Sequence, residues 1–263
     1  MRTSLQAAPP AFGPLGGRFA RFAAMGSLAL AAPAFAAQSL AEDWSDADYS
    51  TKETRALTHA YAQCVVRRQA AKASQAIVGN ADNGTIMRDY PMLIRPECLT
   101  RETRQATRMG FSGDLYRYAL ADALVNRELA GRPALDLDSV PRLDHRDPGE
   151  PPQAADPSGR KLGKRKLEAA LRSHRQASAF AFLSRYGECV VRVDSDGSRN
   201  LLLTKPDSTE ESARFAALRP AFGRCLSEGQ TMRSGKAALR GTIAVNYYRL
   251  AHAARASAAG APR

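Results

Sequence analysis

Four cysteines are the residues of this chain best able to do chemistry, and they sit in two matched settings. Tyr61-Ala62-Gln63-Cys64-Val65-Val66-Arg67 returns, offset by 125 residues, as Tyr186-Gly187-Glu188-Cys189-Val190-Val191-Arg192. A Cys-Leu pair follows each copy, Cys98-Leu99 and Cys225-Leu226, at intervals of 34 and 36 residues. Thiols of this kind can bind a metal, act as nucleophiles or oxidise to disulfides. Metal sites favour closely spaced pairs such as Cys-x-x-Cys, and the chain has none.

The first residues decide between the remaining uses. Arg2, Arg18 and Arg21 precede a short apolar run from Phe22 to Ala32. Pro33 breaks the run, and Ala34-Phe35-Ala36 puts small residues where an export peptidase reads. Residues 1–36 are therefore expected to be a signal peptide. The run falls short of the roughly 20 apolar residues of a bilayer span. No later stretch is long and apolar enough, so no transmembrane segment is expected after cleavage. A periplasmic or secreted location follows, where an even number of cysteines reads as a disulfide framework. The repeat selects the pairing Cys64 with Cys98 and Cys189 with Cys225, because a bridge inside the unit is inherited by both copies. Each would close a loop of about 35 residues, worth roughly 4 kcal/mol in the chain-entropy account.

Beyond the cysteines, both copies keep a Tyr three residues before the first Cys and an Arg three after it. Arg67 and Arg192 are thus candidate anion contacts, each with a phenol nearby. The alternative is that Tyr61 and Tyr186 pack beside the disulfides while the arginines pair with local acids. His59, His145, His174 and His252 have no counterparts between copies, and surface positions are expected for them. A catalytic His needs a positioned partner, and the sequence nominates none. Glu188 faces Gln63 in the other copy, so an acid–base pair could exist in one copy only. Asp194-Ser195-Asp196-Gly197 resembles the start of a calcium loop, but its glycine is at position four rather than six. A helix-ending turn is expected there. Phosphate-loop, dinucleotide, zinc-protease and serine-hydrolase signatures are absent, and no catalytic residue, cofactor or metal is expected.

Charge is unevenly spread. The whole chain carries +12. Residues 40–130 balance 12 Lys/Arg with 12 Asp/Glu, whereas residues 178–263 hold 13 against 7. The run Arg160-Lys161-Leu162-Gly163-Lys164-Arg165-Lys166 should open a helix continuing to Ala177. A basic second half allows weak affinity for anionic polymers by general electrostatics.

The elements that must position the cysteines read as helices. Leu57, Tyr61, Cys64, Val65 and Arg68 recur at one and two turns, and helix is expected to Val78 before Gly79-Asn80. Residues 85–99 suit a short helix interrupted near Pro91 and Pro96. Ser112 is an N-cap for the next, carrying Leu115, Tyr116, Leu120 and Leu124. In the second half Phe182, Tyr186, Cys189 and Val193 share a face. Leu201 to Leu203 suit a short turn, Ser208 or Thr209 caps a helix running through Phe215, Leu218, Phe222 and Cys225, and Ser234 caps the last. An all-α fold is expected: a lead-in at 37–50, a helical module at 51–130, a Pro-rich linker at 131–160, a second module at 161–253 and a frayed tail at 254–263. Each module is closed by one disulfide. Six prolines in residues 131–158 exclude helix and sheet pairing there, so an extended or disordered spacer is expected.

Residues 57–129 and 178–250 resemble a set of small exported bacterial proteins in which a Cys-Val-Val-Arg helix and a downstream Cys-Leu recur twice. The set has no assigned activity, so the resemblance implies the helical fold and nothing about mechanism. The leading expectation is a non-catalytic binding or structural protein of the envelope. The alternatives are an envelope hydrolase acting on an anionic polymer through the second module, and a binder of anionic lipid or nucleic acid.

Overall fold

In the computed structural model of the chain the described residues are 52–99, 114–133, 136–137, 140–155, 159–230, 232 and 234–260. The expected signal peptide, the expected lead-in, the expected cap at Ser112 and the last three residues of the tail lie outside them. The helix through the first cysteine is α1, Lys52–Val78, which buries Tyr61, Ala62, Val65 and Val66. It breaks at Gln69 (φ −134°, ψ 37°) and then buries Ala73, Ala76 and Ile77. Asn80 closes it at φ 54°, a left-handed turn that Asn tolerates better than most residues. Helix α2, Asn83–Asp89, is capped by Asp82, whose carboxylate accepts from Thr85 N at 2.7 Å. Two 3₁₀ turns, Pro91–Leu93 and Pro96–Cys98, each opened by proline, bring the chain to the second cysteine. Helix α3 is Leu115–Glu128.

The second half begins with α4, Lys164–Val193, which contains the helix expected from the basic run and extends it through Cys189. Asp194 ends α4 and caps α5, Ser195–Leu202, by accepting from Gly197 N. The expected turn at Leu201 to Leu203 is thus the end of a helix. Ser208 caps α6, Thr209–Ala217, through Glu211 N. The single helix expected from there to Cys225 is two: α7, Arg219–Arg224, restarts with Pro220 in its first turn, where a missing N–H costs nothing. Helix α8 is Lys236–Gly260. It passes the expected point of fraying, because Ala251 is buried and Ala253 and Ala254 pack on the core. Among the described residues the only strand-like pairing is one bridge between Ala155 and Lys161. The fold is all-helical.

Both disulfides form as expected, Cys64 to Cys98 and Cys189 to Cys225, with Cα separations of 5.6 and 5.8 Å. Each first-cysteine helix is tied in a second place as well. Tyr61 Oη accepts from Arg95 N at 2.7 Å, and Tyr186 Oη donates to Phe222 O at 3.2 Å. In both cases the backbone partner lies three residues before the second cysteine.

Helices α1, α3, α8 and α4 pack in that order, and their contacts advance together. His59 meets Asp122 and Arg127 reaches Val66 O between α1 and α3. Gly241 lies on Tyr118, and Tyr248 Oη meets Glu128, between α3 and α8. Thr242 bonds Leu183 O, and Asn246 lies on Gly187, between α8 and α4. The first half of α1 and the other three helices therefore run parallel. Residues of both halves share one hydrophobic cluster, including Val65, Leu120, Leu124, Val190, Leu201 and Ile243, and residues 37–263 form one compact unit.

The Pro-rich segment is not a free spacer where it is described. Leu137 and Val140 are buried. Arg192 of α4 donates to the carbonyls of Leu137, Val140 and Pro141 at 3.1, 3.1 and 2.7 Å. Leu143 N donates to Glu188, and Arg249 of α8 donates to Asp144 O at 2.7 Å. Proline removes N–H donors but leaves every carbonyl as an acceptor, and arginine is the side chain best equipped to use a row of them. The segment is a strap tied to α4 and α8.

Close helix contact demands glycine at two places. A Cβ on Gly187 would lie 2.6 Å from Asn246 Nδ2 and 2.8 Å from Thr242 O, and one on Gly241 would meet the Tyr118 ring. Overpacking of this kind costs about 1–3 kcal/mol. Thermal melts of Gly187→Ala and Gly241→Ala should therefore fall by several degrees, while Gly223→Ala, with open space at its Cβ, should stay close to the parent.

Candidate functional site

Two imidazole–carboxylate pairs are built by the fold, one in each half. The first lies in a small open cleft where α1, α3 and α8 begin. Arg55 and His59 enter from α1, Leu115 and Tyr118 from α3, Lys236 from α8, and Asp207 from the turn before α6. His59 Nδ1 is 3.1 Å from Asp122 Oδ2, an ion-pair distance at an angle too poor for a hydrogen bond. His59 Nε2 is 2.9 Å from the Gln63 amide nitrogen. With Gln63 donating, Nε2 is the acceptor and the Nδ1 proton faces Asp122. Arg55 grips Asp207 with both Nε and Nη2, the shortest contact being 2.7 Å.

Behind the cleft, Arg240 is only 6 % exposed. Its Nε donates to Asp122 Oδ1 at 3.1 Å, and Nη1 donates to Glu211 Oε1 at 3.0 Å. The carbonyls of Leu201, Leu202 and Thr204 accept from its two Nη atoms. One guanidinium therefore joins α3, the end of α5 and the start of α6 to α8. A buried charge persists only when paired and hydrogen-bonded throughout, and these acceptors meet that condition.

The second pair is made by the strap. His145 Nδ1 is 2.8 Å from Ser184 Oγ, and His145 Nε2 is 2.5 Å from Glu188 Oε2. Glu188 also accepts from Arg192 Nε at 2.7 Å and from Leu143 N at 3.1 Å. Burial alone would raise its pKa. The bonds from His145, Leu143 and Arg192 outweigh burial and bring it down to about 2. Close by, Arg117 lies 4.8 Å over the Phe180 ring and donates to Asn80 Oδ1. Burial holds its pKa below the usual arginine range, with Asp114 opposing. Arg249 is held at about 10, first by burial and then by Arg117.

The two candidate anion contacts have different fates. Arg192 is committed to Glu188 and three carbonyls, and Arg67 is exposed on α1. His59 and His145, expected at the surface, are partners in polar clusters, with side chains 20 % and 11 % exposed. Asp122, Arg240 and Ser184 were not singled out by sequence reasoning. The spacing of Glu188 and Arg192, four apart on one helix, was the one visible hint of the second cluster. Among the described residues no group of three or more His, Cys, Asp or Glu is placed to hold a metal ion, and no helix is long and apolar enough to cross a membrane.

No family model, no curated protein and no solved structure matches this chain.

Two measurements check the electrostatics. A carboxylate with a depressed folded pKa adds stability that is present above its unfolded value, near 4.3, and lost as pH falls through the folded one. Urea midpoints should drop between about pH 5 and 2, and Glu188→Gln should flatten part of that slope. Arg240→Met strands Asp122 and Glu211 without their cation and should cost about 3–5 kcal/mol at neutral pH.

Proposed function

We propose that this chain is an exported protein of the cell envelope or secreted fraction, built from a duplicated helical unit, which works by binding rather than by catalysis. One observation carries the reading: the four sulfurs and the two histidines that stand beside carboxylates are engaged inside the fold. All four sulfurs are in bridges. His59 has Asp122 and Gln63 against its two nitrogens, and His145 has Ser184 and Glu188. The ring nitrogen free to take a substrate proton is held by Gln63 in His59 and by Ser184 in His145, so either would act as a base only by giving up a hydrogen bond. What stays accessible is a shaped cleft and exposed charge.

The duplication is supported by features the 125-residue offset brings into register. The break at Gln69 matches the end of α4 at Asp194, and the Tyr61 and Tyr186 hydroxyls reach equivalent backbone positions. Export is supported by the leader and by the bridges, which persist in an oxidising compartment.

A second reading, a hydrolase, has one specific observation in its favour. Ser184, His145 and Glu188 stand in hydrogen-bonded order, as nucleophile, base and acid do in acyl transfer. Against it, Ser184 is 4 % exposed beneath the strap.

Fractionation and labelling separate these readings. The protein should appear outside the cytoplasm, with its thiols unreactive to maleimide until reduced. A fluorophosphonate should leave Ser184 unmodified. Labelling of Ser184 that disappears in His145→Ala would replace binding by hydrolysis, and cytoplasmic retention would end the export reading.

A further inference from the structure

Helix α4 is longer than its bundle. Thr242 of α8 bonds Leu183 O of α4, and the two helices run parallel. Stepping back six residues on each puts Lys236, where α8 begins, level with Ala177. Residues 164–177 therefore project past the end of the bundle by roughly 20 Å at 1.5 Å per residue. The first buried residue of α4 is Phe180.

The projecting part is strongly basic. Between Arg160 and Arg175 there are seven Lys/Arg, all exposed, against the single acid Glu168. Leu167, Ala170 and Leu171 fall at spacings of three and four, a helical stripe. They are half-buried, yet none is among the residues packed on the hydrophobic core. A cationic helix with an apolar stripe outside the hydrophobic core suits the surface of an anionic bilayer, with cations at the headgroups and leucines at the acyl boundary. Single-stranded nucleic acid is held by basic grooves combined with aromatic platforms, and residues 160–178 contain no Phe, Tyr or Trp.

We infer that the projecting first half of α4 docks this protein onto an anionic phospholipid surface. The inference supplies a partner for the binding reading and can fail without it, since the cleft at the start of α1, α3 and α8 is a separate site.

Vesicle co-sedimentation of the full chain tests it. The vesicles are equal parts phosphatidylglycerol and phosphatidylcholine, or phosphatidylcholine alone, which reports any contribution of the apolar leader. Each basic side chain near such a surface contributes about fivefold to partitioning. Replacing Lys164, Arg165 and Lys166 together by Ala should weaken binding to the anionic vesicles by about a hundredfold, with an unchanged far-ultraviolet spectrum. Replacing the exposed Arg67, Arg68 and Arg214 by Ala should weaken it far less. Leu167→Gln with Leu171→Gln should also release the protein, an effect that attraction to a polyanion without a bilayer would not give. Binding should fall when salt rises from about 50 to about 500 mM. Equal binding to the two vesicle types, or an unaltered triple variant, overturns the inference. Tighter binding to duplex DNA than to the anionic vesicles at the same salt assigns the surface to nucleic acid and overturns it as well. A cleft ligand found alongside either result would leave the binding reading standing.

Discussion

The interior of this protein turns on one guanidinium. Arg240 enters the core from the second turn of α8 and finds a carboxylate from α3, a carboxylate from α6 and the carbonyl ends of α5. A lysine could not take its place, because three donors on one nitrogen cannot address acceptors spread over three elements, whereas the planar fork can. A charge with that many partners specifies more than it stabilises, since its desolvation consumes much of what the contacts return. Its consequence is geometric. With Arg240 seated, the end of α5 can lie only where its carbonyls face α8, and α6 only where Glu211 reaches. The residues that close the second disulfide follow from there.

Positions 125 residues apart meet different partners in the two halves of the chain. His59 and Gln63 in the first half correspond to Ser184 and Glu188 in the second. In the first, the imidazole comes from α1 itself and faces Gln63 and Asp122. In the second, the helix offers a hydroxyl and a carboxylate, and the imidazole arrives on the strap as His145. A ring thus stands beside each first-cysteine helix at the same level, supplied locally in one half and by the connecting segment in the other. Arg67 and Arg192 diverge in the same way. The strap needs a donor at that level and takes Arg192, while Arg67 stays at the surface.

These differences explain what could be read from the chain and what could not. The cysteine pairing was legible because it is repeated, and the helices because Tyr61, Cys64 and Val65, or Tyr186, Cys189 and Val190, carry their period over adjacent turns. The strap was not legible as a bound element. Proline density excludes regular pairing, but it is silent on whether arginines elsewhere will gather the carbonyls. His145 lies 39 and 43 residues from its partners, beyond the reach of any local pattern. Arg240 looks like every other arginine in an arginine-rich chain, and only tertiary packing separates it from the surface ones. The break at Gln69 has no glycine or proline to announce it. The tail expected to fray from residue 254 is helical to Gly260, and alanines give no sign in sequence of the packing that holds them. A small side chain is what lets α8 lie close against its neighbours.

Parallel packing has an electrostatic cost that the charge distribution answers. Helices running the same way bring their positive N-terminal ends together, and α1, α3 and α8 all begin at the cleft. That end also carries Arg55, Lys236 and the buried Arg240. Asp122, Asp207 and Glu211 converge there and offset the accumulated positive charge locally. The fourth parallel helix avoids the crowding differently: the overhang moves the N-terminus of α4, and the basic run attached to it, about 20 Å away from the cleft. At that distance the intervening solvent spans more than a Debye length at physiological salt, so those cations neither strain the cleft nor are neutralised by its acids. The same displacement that lets four parallel helices coexist sets a run of seven cations and one acid on one exposed projection.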